Sequence, residues 1–297
     1  MYRRAFLKSA ALLGASVFLS NENIAGLLAS GKLRMLSQHT GIYTEKGGTM
    51  AFLITDEGIM VVDAQFPDTA PHFIEQVKEK SSLPFRYLFN THHHFDHTSG
   101  NIAFKGLIKD GVAHKNSIAN QLAVAEKQGN VDGILLPNMS FDKEGWSTQA
   151  GNSRIQAFYF GPAHTNGDSV IYFEKENLAH VGDLCFNRKH PYIDRSAGAS
   201  IKGWITVIDK IKTAFPKNTQ FVCGHCGEGS DVLIFHPDLT LFEDYLGNVL
   251  HYVSQGIQAG KSKEELLHCT QIPGSPLWQG EGIERPITAA FEELSGA

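Results

Sequence analysis

The feature that most constrains this chain is the heptapeptide Thr91-His92-His93-His94-Phe95-Asp96-His97, which crowds four histidines and an aspartate into one short stretch. Nitrogen and oxygen donors at this density suit a borderline divalent metal such as zinc. In an extended backbone alternate side chains point the same way, so His92 and His94 converge on one ion while Asp96 and His97 address a neighbouring position. His93 points the other way and reads as packed or solvent-facing. The loop needs a rigid support, and the apolar run at 85–89 just before it reads as a buried strand.

Three more donors occur in similar settings. His164 sits in Gly161-Pro162-Ala163-His164-Thr165, Asp183 in His180-Val181-Gly182-Asp183-Leu184, and His225 in Val222-Cys223-Gly224-His225-Cys226-Gly227. Each follows a predicted strand and is expected in a turn, where a neighbouring glycine lets the backbone bend and brings the side chain to a shared rim.

The rest of the pattern supplies the scaffold. Short β-type runs at 33–37, 50–55 and 59–62 open the fold, the last two joined by the hairpin turn Asp56-Glu57-Gly58. A helical pattern over 69–80 places Phe73, Ile74 and Val77 on one face. Strands are then expected at 85–89, 112–114, 155–160, 169–173, 178–181 and 220–223, with helices near 117–127, 201–214, 239–254 and 262–268. No repeat, low-complexity tract or linker divides this region. Residues 31–297 therefore read as one α/β domain, a β-sandwich with helices on both outer faces.

Composition narrows the partners. Of 297 residues, 26 are Lys or Arg and 31 are Asp or Glu, giving a net charge of −5 with no basic cluster, so nucleic acid is not an expected partner. A small-molecule substrate is. Oligomeric state leaves no signature in the sequence. The N-terminus, Tyr2-Arg3-Arg4-Ala5-Phe6-Leu7-Lys8, precedes an apolar stretch over 10–19 that is short for a membrane span. It resembles the twin-arginine export signal of bacteria, so residues 1–30 read as a signal and the mature protein as periplasmic, with no stable membrane span. Cys223 and Cys226 form a C-x-x-C, but the enclosed His225 is better used as a metal donor than the pair is in a redox motif.

These separated segments, in this order, strongly resemble the metallo-β-lactamase superfamily over nearly the whole chain after the leader. The intervals of 19 residues from His164 to Asp183 and 42 from Asp183 to His225 are in keeping with it. The resemblance implies an αββα sandwich with two Zn²⁺ at one edge of the sheets, Fe or Mn being alternatives. It implies that His92, His94 and His164 hold the first ion, that Asp96, His97 and His225 hold the second, and that Asp183 bridges. Asp63, at the end of the run 59–62, matches the aspartate that braces the ligand loop from behind by holding a ligand histidine through its free ring N–H.

Such a centre generates a metal-bound hydroxide near neutral pH, with Asp96 orienting it or moving a proton to the leaving group. No Gly-x-Ser-x-Gly elbow is present to argue for a serine nucleophile. The expected reaction is hydrolysis of a small ester, lactone, thioester or cyclic amide. Two positions argue against a dedicated β-lactamase. The subclass with similar intervals has cysteine at position 183, where this chain has aspartate, and a carboxylate-binding lysine at position 186, where this chain has phenylalanine. The aspartate bridge, together with the full His-x-His-x-Asp-His motif, more closely resembles the lactonase, glyoxalase II and general hydrolase branches. Arg188, Lys189 and His190 are the nearby cationic candidates for substrate binding. Phe66, Trp146, Tyr192 and Trp204 are candidates for an apolar cleft, although packing is the commoner fate of such side chains. A diiron redox protein of the same fold has glutamate where His94 stands here and carries a flavin domain, and a non-catalytic accessory protein is expected to have lost some of the seven donors.

Overall fold

Alternation along single strands decides the architecture. In β3 (Met50–Thr55) and β4 (Gly58–Val62), Ala51, Leu53, Met60 and Val62 face one core while Met50, Phe52, Ile59 and Val61 face another. A strand apolar on both faces must be covered on both sides, which forces a layered structure. The computed structural model describes residues 32–296; the expected export signal at 1–30 lies outside the described residues.

The first sheet has the order β1 (Lys32–Met35), β2 (Thr40–Thr44), β3, β4, β5 (Phe85–Asn90), β6 (Asp110–His114) and β7 (Met139–Phe141). Its first four strands form an antiparallel meander, and β4 to β7 pair in parallel. Parallel pairing requires crossovers, two of which are the helices α1 (Ala70–Lys80), between β4 and β5, and α3 (Lys115–Gln128), between β6 and β7. Helix α1 places Phe73, Ile74 and Val77 against Tyr43, Phe52 and Phe104 in the outer core, on the face its spacing predicts. A one-turn helix, α2 (Phe95–Thr98), follows β5.

The second sheet has the order β13 (Leu233–Ile234), β12 (Gln220–Cys226), β11 (Leu178–Asn187), β10 (Val170–Phe173), β9 (Ser153–Phe158) and β8 (Trp146–Ala150). One large core joins the inward residues of both sheets to the apolar faces of α4 (Ile201–Ala214) and α5 (His236–Gln258), including Trp204, Ile208, Phe242, Tyr245 and Val249. The short α6 (Lys263–Leu266) and α7 (Glu284–Ser295) complete this layer. The architecture is the expected αββα sandwich. Among the described residues no helix is long and apolar enough to cross a membrane.

Several boundaries differ from the sequence reading. Strand β2 and helix α7 were not anticipated, and β11 and β12 run several residues past the expected ends at 181 and 223. The last difference bears on the site, since Asp183 and His225 lie within strands rather than in turns beyond them. Register breaks between β11 and β12, at His180/Gly182 and Gly182/Phe186, turn those side chains toward the edge without ending the strand.

Candidate metal centre

The loop after β5 delivers His92 and His94 in non-helical backbone, and His94 then occupies the N-cap of α2, which carries Asp96 and His97. His164 comes from the loop between β9 and β10, Asp183 from β11 and His225 from β12. The seven side chains meet in two adjacent groups, His92, His94, His164 and Asp183 in one and Asp96, His97 and His225 in the other, with the donor atoms of each group within 4.8 Å of one another. Asp183 stands between them. Its Oδ2 is 3.4 Å from His164 Nε2 and 3.5 Å from His225 Nε2, while its Oδ1 is 3.1 Å from His97 Nε2. Two glycines permit this approach. At Gly224 a Cβ would fall 2.0 Å from Asp183 Oδ1, and at Gly182, where φ is +51°, it would fall 2.5 Å from Thr91 Oγ1.

The outward-facing ring nitrogens identify what the inward ones offer. Thr91 Oγ1 donates to Asp63 Oδ2 at 2.8 Å and so receives the Nδ1–H of His92 at 3.1 Å. Asp63 Oδ2 also receives the Nδ1–H of His97 at 2.7 Å. The backbone carbonyl of Tyr192 receives the Nδ1–H of His164 at 2.8 Å, and Asp194 Oδ2 receives the Nε2–H of His94 at 3.0 Å. A neutral imidazole with one nitrogen donating outward turns a lone pair inward through the other. His94 Nδ1 therefore confronts His92 Nε2 at 3.1 Å and His164 Nε2 at 2.9 Å, lone pair against lone pair. His97 Nε2 and Asp183 Oδ1 are likewise buried without a hydrogen bond of proper geometry. With all three rings neutral, these nitrogens present converging lone pairs beside an ionised carboxylate, an arrangement that a bound cation satisfies at once. The donor set fits zinc.

The electrostatics agree. Burial opposes a charge on His97, yet Asp183, Asp96 and Asp63 hold its pKa well above the ordinary imidazole value, so these carboxylates call for positive charge there, which a proton on Nε2 or a cation beside it supplies. Burial brings His164 down to about 3, which keeps it neutral and able to donate a lone pair. Burial would raise Asp96, but His97 and His225 bring it down to about 2. Asp63 occupies a left-handed backbone conformation, φ +61°, a strained placement for a non-glycine residue that here aims one carboxylate at both Thr91 and His97.

An open pocket of about 520 Å³ lies over both groups, lined in part by Phe66, Phe95, Asp96, Phe186, Lys189, His190, Tyr192 and Arg285. Among the aromatics expected in the cleft, Phe66 and Tyr192 line it. Trp204 is fully buried with its indole N–H donating to the Leu184 carbonyl, and Trp146 packs on Tyr87 and Phe89. Among the expected cationic residues, Arg188 is not at the pocket. It pairs with Asp238 at 3.0 Å and lies over the Trp278 ring, because its left-handed backbone, φ +58°, turns it away from the sheet edge. His190 lines the pocket but is buried, its Nδ1 held by Tyr245 Oη at 2.7 Å. Phe186, which stands where the β-lactamase subclass with similar intervals has a lysine, stacks on the His225 ring at 5.3 Å. Cys223 and Cys226 are free thiols, and burial pushes both up, away from the reactive thiolate.

Thr91, Asp194 and the Tyr192 carbonyl were not anticipated from the sequence. A backbone acceptor has no residue signature, and Asp194 lies in a loop whose path is set by tertiary contacts.

Residues 44–225 match the model of the metallo-beta-lactamase superfamily. The chain belongs to that superfamily. Relatives include "Metallo-beta-lactamase type 2" of Bacillus cereus, 23% identical over 218 residues that span 69% of this chain and 80% of the relative. "Hydroxyacylglutathione hydrolase" of Pelagibacter ubique (strain HTCC1062) is 28% identical over 175 residues, 59% of this chain and 65% of that protein. Among solved structures, "Metallo-beta-lactamase from Pontibacter korlensis" superposes with a TM-score of 0.62 at 18% identity, covering 74% of this chain and all of that one. This likeness shows the fold. On the family match and these relatives, the chain is a metal-dependent hydrolase of the superfamily.

Proposed function

We propose that the protein is an exported dizinc hydrolase that cleaves a small ester, lactone, thioester or cyclic amide. The observation that carries this reading is the set of inward lone pairs and carboxylates with no partner but one another. His92, His94 and His164 would hold one ion, Asp96, His97 and His225 the second, and Asp183 would serve both. Two divalent cations in such a site supply the Lewis acidity that activates a water and polarises the carbonyl under attack.

The chain's own groups do the rest. Asp96 is ionised, and its side chain is 27% exposed against 4% for Asp183, so it is the carboxylate placed to orient the attacking water and to take and return its proton. Phe66, Phe95 and Tyr192 cover the apolar part of a bound molecule and exclude solvent around the scissile bond. Asp63 and Thr91 hold the ligand loop against reorganisation during turnover.

A second reading, hydrolysis of β-lactams, is favoured by the curated name of the Bacillus relative. Against it stand the absence of a cation at position 186 and the turning away of Arg188. The export part rests on the paired arginines and apolar stretch at the N-terminus; fractionation with and without Arg3→Lys plus Arg4→Lys tests it, and unchanged periplasmic recovery would overturn the twin-arginine route. For the chemistry, zinc, iron and manganese are quantified in protein purified without added metal, and lactams, lactones, thioesters and aryl esters are screened with and without chelator. About two zinc ions per chain and chelator-sensitive hydrolysis are expected. Iron in place of zinc, or turnover indifferent to chelator, would refute the assignment.

A further inference from the structure

The three histidines of the first group are not held alike. His92 and His164 turn Nε2 inward and are fully enclosed, with side chains 1% and 0% exposed; His94 turns Nδ1 inward and is 17% exposed at the pocket rim. Packing fixes the first two rings. Rotating the His94 ring by half a turn would replace Nδ1 with a carbon and remove its lone pair from the group, and toward the pocket the ring meets Tyr192 in an edge contact at 5.5 Å. What selects its orientation is one carboxylate. Asp194 Oδ2 accepts the His94 Nε2–H at 3.0 Å and lies 3.5 Å from His93 Nε2, while Oδ1 accepts the Ala197 amide at 3.1 Å and the Ser196 hydroxyl at 2.5 Å. The Asp194 amide in turn faces the His164 carbonyl at 3.3 Å, and two residues earlier the Tyr192 carbonyl holds the His164 ring.

We propose that Asp194 is a positioning residue that fixes the rotation and tautomer of His94, so that the segment from Tyr192 to Asp194 sets two of the three histidines of the first group from outside. His93, adjacent to both ligand positions but aimed at Asp194, serves as the second contact that keeps the carboxylate in place. The same three side chains, His93, His94 and Asp194, also have donor atoms within 4.8 Å of one another and resemble a third cation site. The tautomer argues against it. A neutral His94 that offers Nδ1 to the first group has its proton on Nε2 and no second lone pair to give, and Asp194 already accepts from Ser196 and Ala197.

The assignment rests on the metal reading above, and the experiment separates the two. Metal-free wild type, Asp194→Ala, Asp194→Asn and Ser196→Ala are titrated with zinc against a chromophoric chelator, and the visible spectra of their cobalt-loaded forms are compared. In Asp194→Ala the ion of the first group is expected to bind roughly 10–100-fold more weakly, with a shifted cobalt spectrum. Asp194→Asn keeps an acceptor and falls between. Ser196→Ala, which removes a partner of the carboxylate but touches no histidine, leaves affinity and spectrum near wild type even if it lowers the melting temperature. Should Asp194→Ala fail to fold, Asp194→Asn carries the test. Wild-type affinity and spectrum in the folded variant overturn the positioning role alone. A third zinc equivalent that disappears with Asp194 overturns it in favour of an ion site. A wild type that binds no metal overturns this assignment together with the metal reading.

Discussion

The two donor groups differ in how much of the protein stands behind them. In the first, each histidine has its outer nitrogen bonded, to Thr91, Asp194 and the Tyr192 carbonyl, and all but His94 are buried. In the second, His97 alone is braced from behind among the described residues, by Asp63; Asp96 and His225 are 27% and 14% exposed, and His225 is steadied by the flat face of Phe186. A preorganised group binds tightly because little ordering is left to do, whereas a looser, wetter group exchanges its ion and admits substrate. On the two-ion reading proposed above, the first group would be the anchor and the second the working side, with Asp183 coupling them.

The largest effect that can break this comparison is removal of the ions. Graded chelation is expected to empty the Asp96, His97 and His225 group first and abolish turnover while one ion per chain remains; metal content measured against residual activity along the titration gives the order. Loss of both ions in a single step would mean that the groups are equivalent. Next comes Asp183→Ala. Because this carboxylate faces His97, His164 and His225, its loss should lower second-ion occupancy and reduce kcat/KM by more than ~100-fold, beyond the range typical of outer-sphere changes. Full occupancy at unchanged rate in that variant would remove the bridging role.

A smaller effect sharpens the comparison. Asp63 bonds the Thr91 amide, the Thr91 hydroxyl and His97, so it touches the second group directly and the first only through Thr91 and His92. Asp63→Ala is expected to weaken the second ion by roughly 10–100-fold and the first by less, and to cost about 1–3 kcal/mol of stability from the buried partners left unpaired. Asp63→Asn, which tolerates the left-handed backbone and keeps an acceptor, should lose less of both. Calorimetric metal titration and thermal melting of the two variants read the two effects apart.

Much of this was legible in the sequence because it depends on residue type and period. The two-faced apolar runs at β3 and β4 require layers, the spacing of Phe73, Ile74 and Val77 sets the face of α1, and histidines with an aspartate at such density have little use other than a cation. What stayed hidden depends on backbone path. The register breaks that carry Asp183 and His225 inside strands, the left-handed turn at Arg188 and the carbonyl of Tyr192 are products of packing between distant segments. Phe186 was visible as a departure, but its use as a stacking surface for His225 was not.

The smallest expected effect concerns the cations near the pocket, where residue type misled and geometry corrects it. Arg188 and Lys189 are neighbours in sequence, yet the Arg188 guanidinium is committed to Asp238 and Trp278 in a partly buried pair, while Lys189 is exposed at the pocket and makes no ion pair or hydrogen bond among the described residues. Arg188→Ala should leave KM within about twofold and cost up to about 1 kcal/mol of stability, the usual range for such a pair. Lys189→Ala should leave the melting temperature alone and raise KM several-fold for carboxylate-bearing substrates only, since an exposed cation acts on a charged group through solvent and salt weakens it. Measuring both variants against one neutral and one anionic ester at two salt concentrations distinguishes these effects. A KM change in Arg188→Ala that exceeds that in Lys189→Ala would mean that the guanidinium leaves Asp238 to meet the substrate.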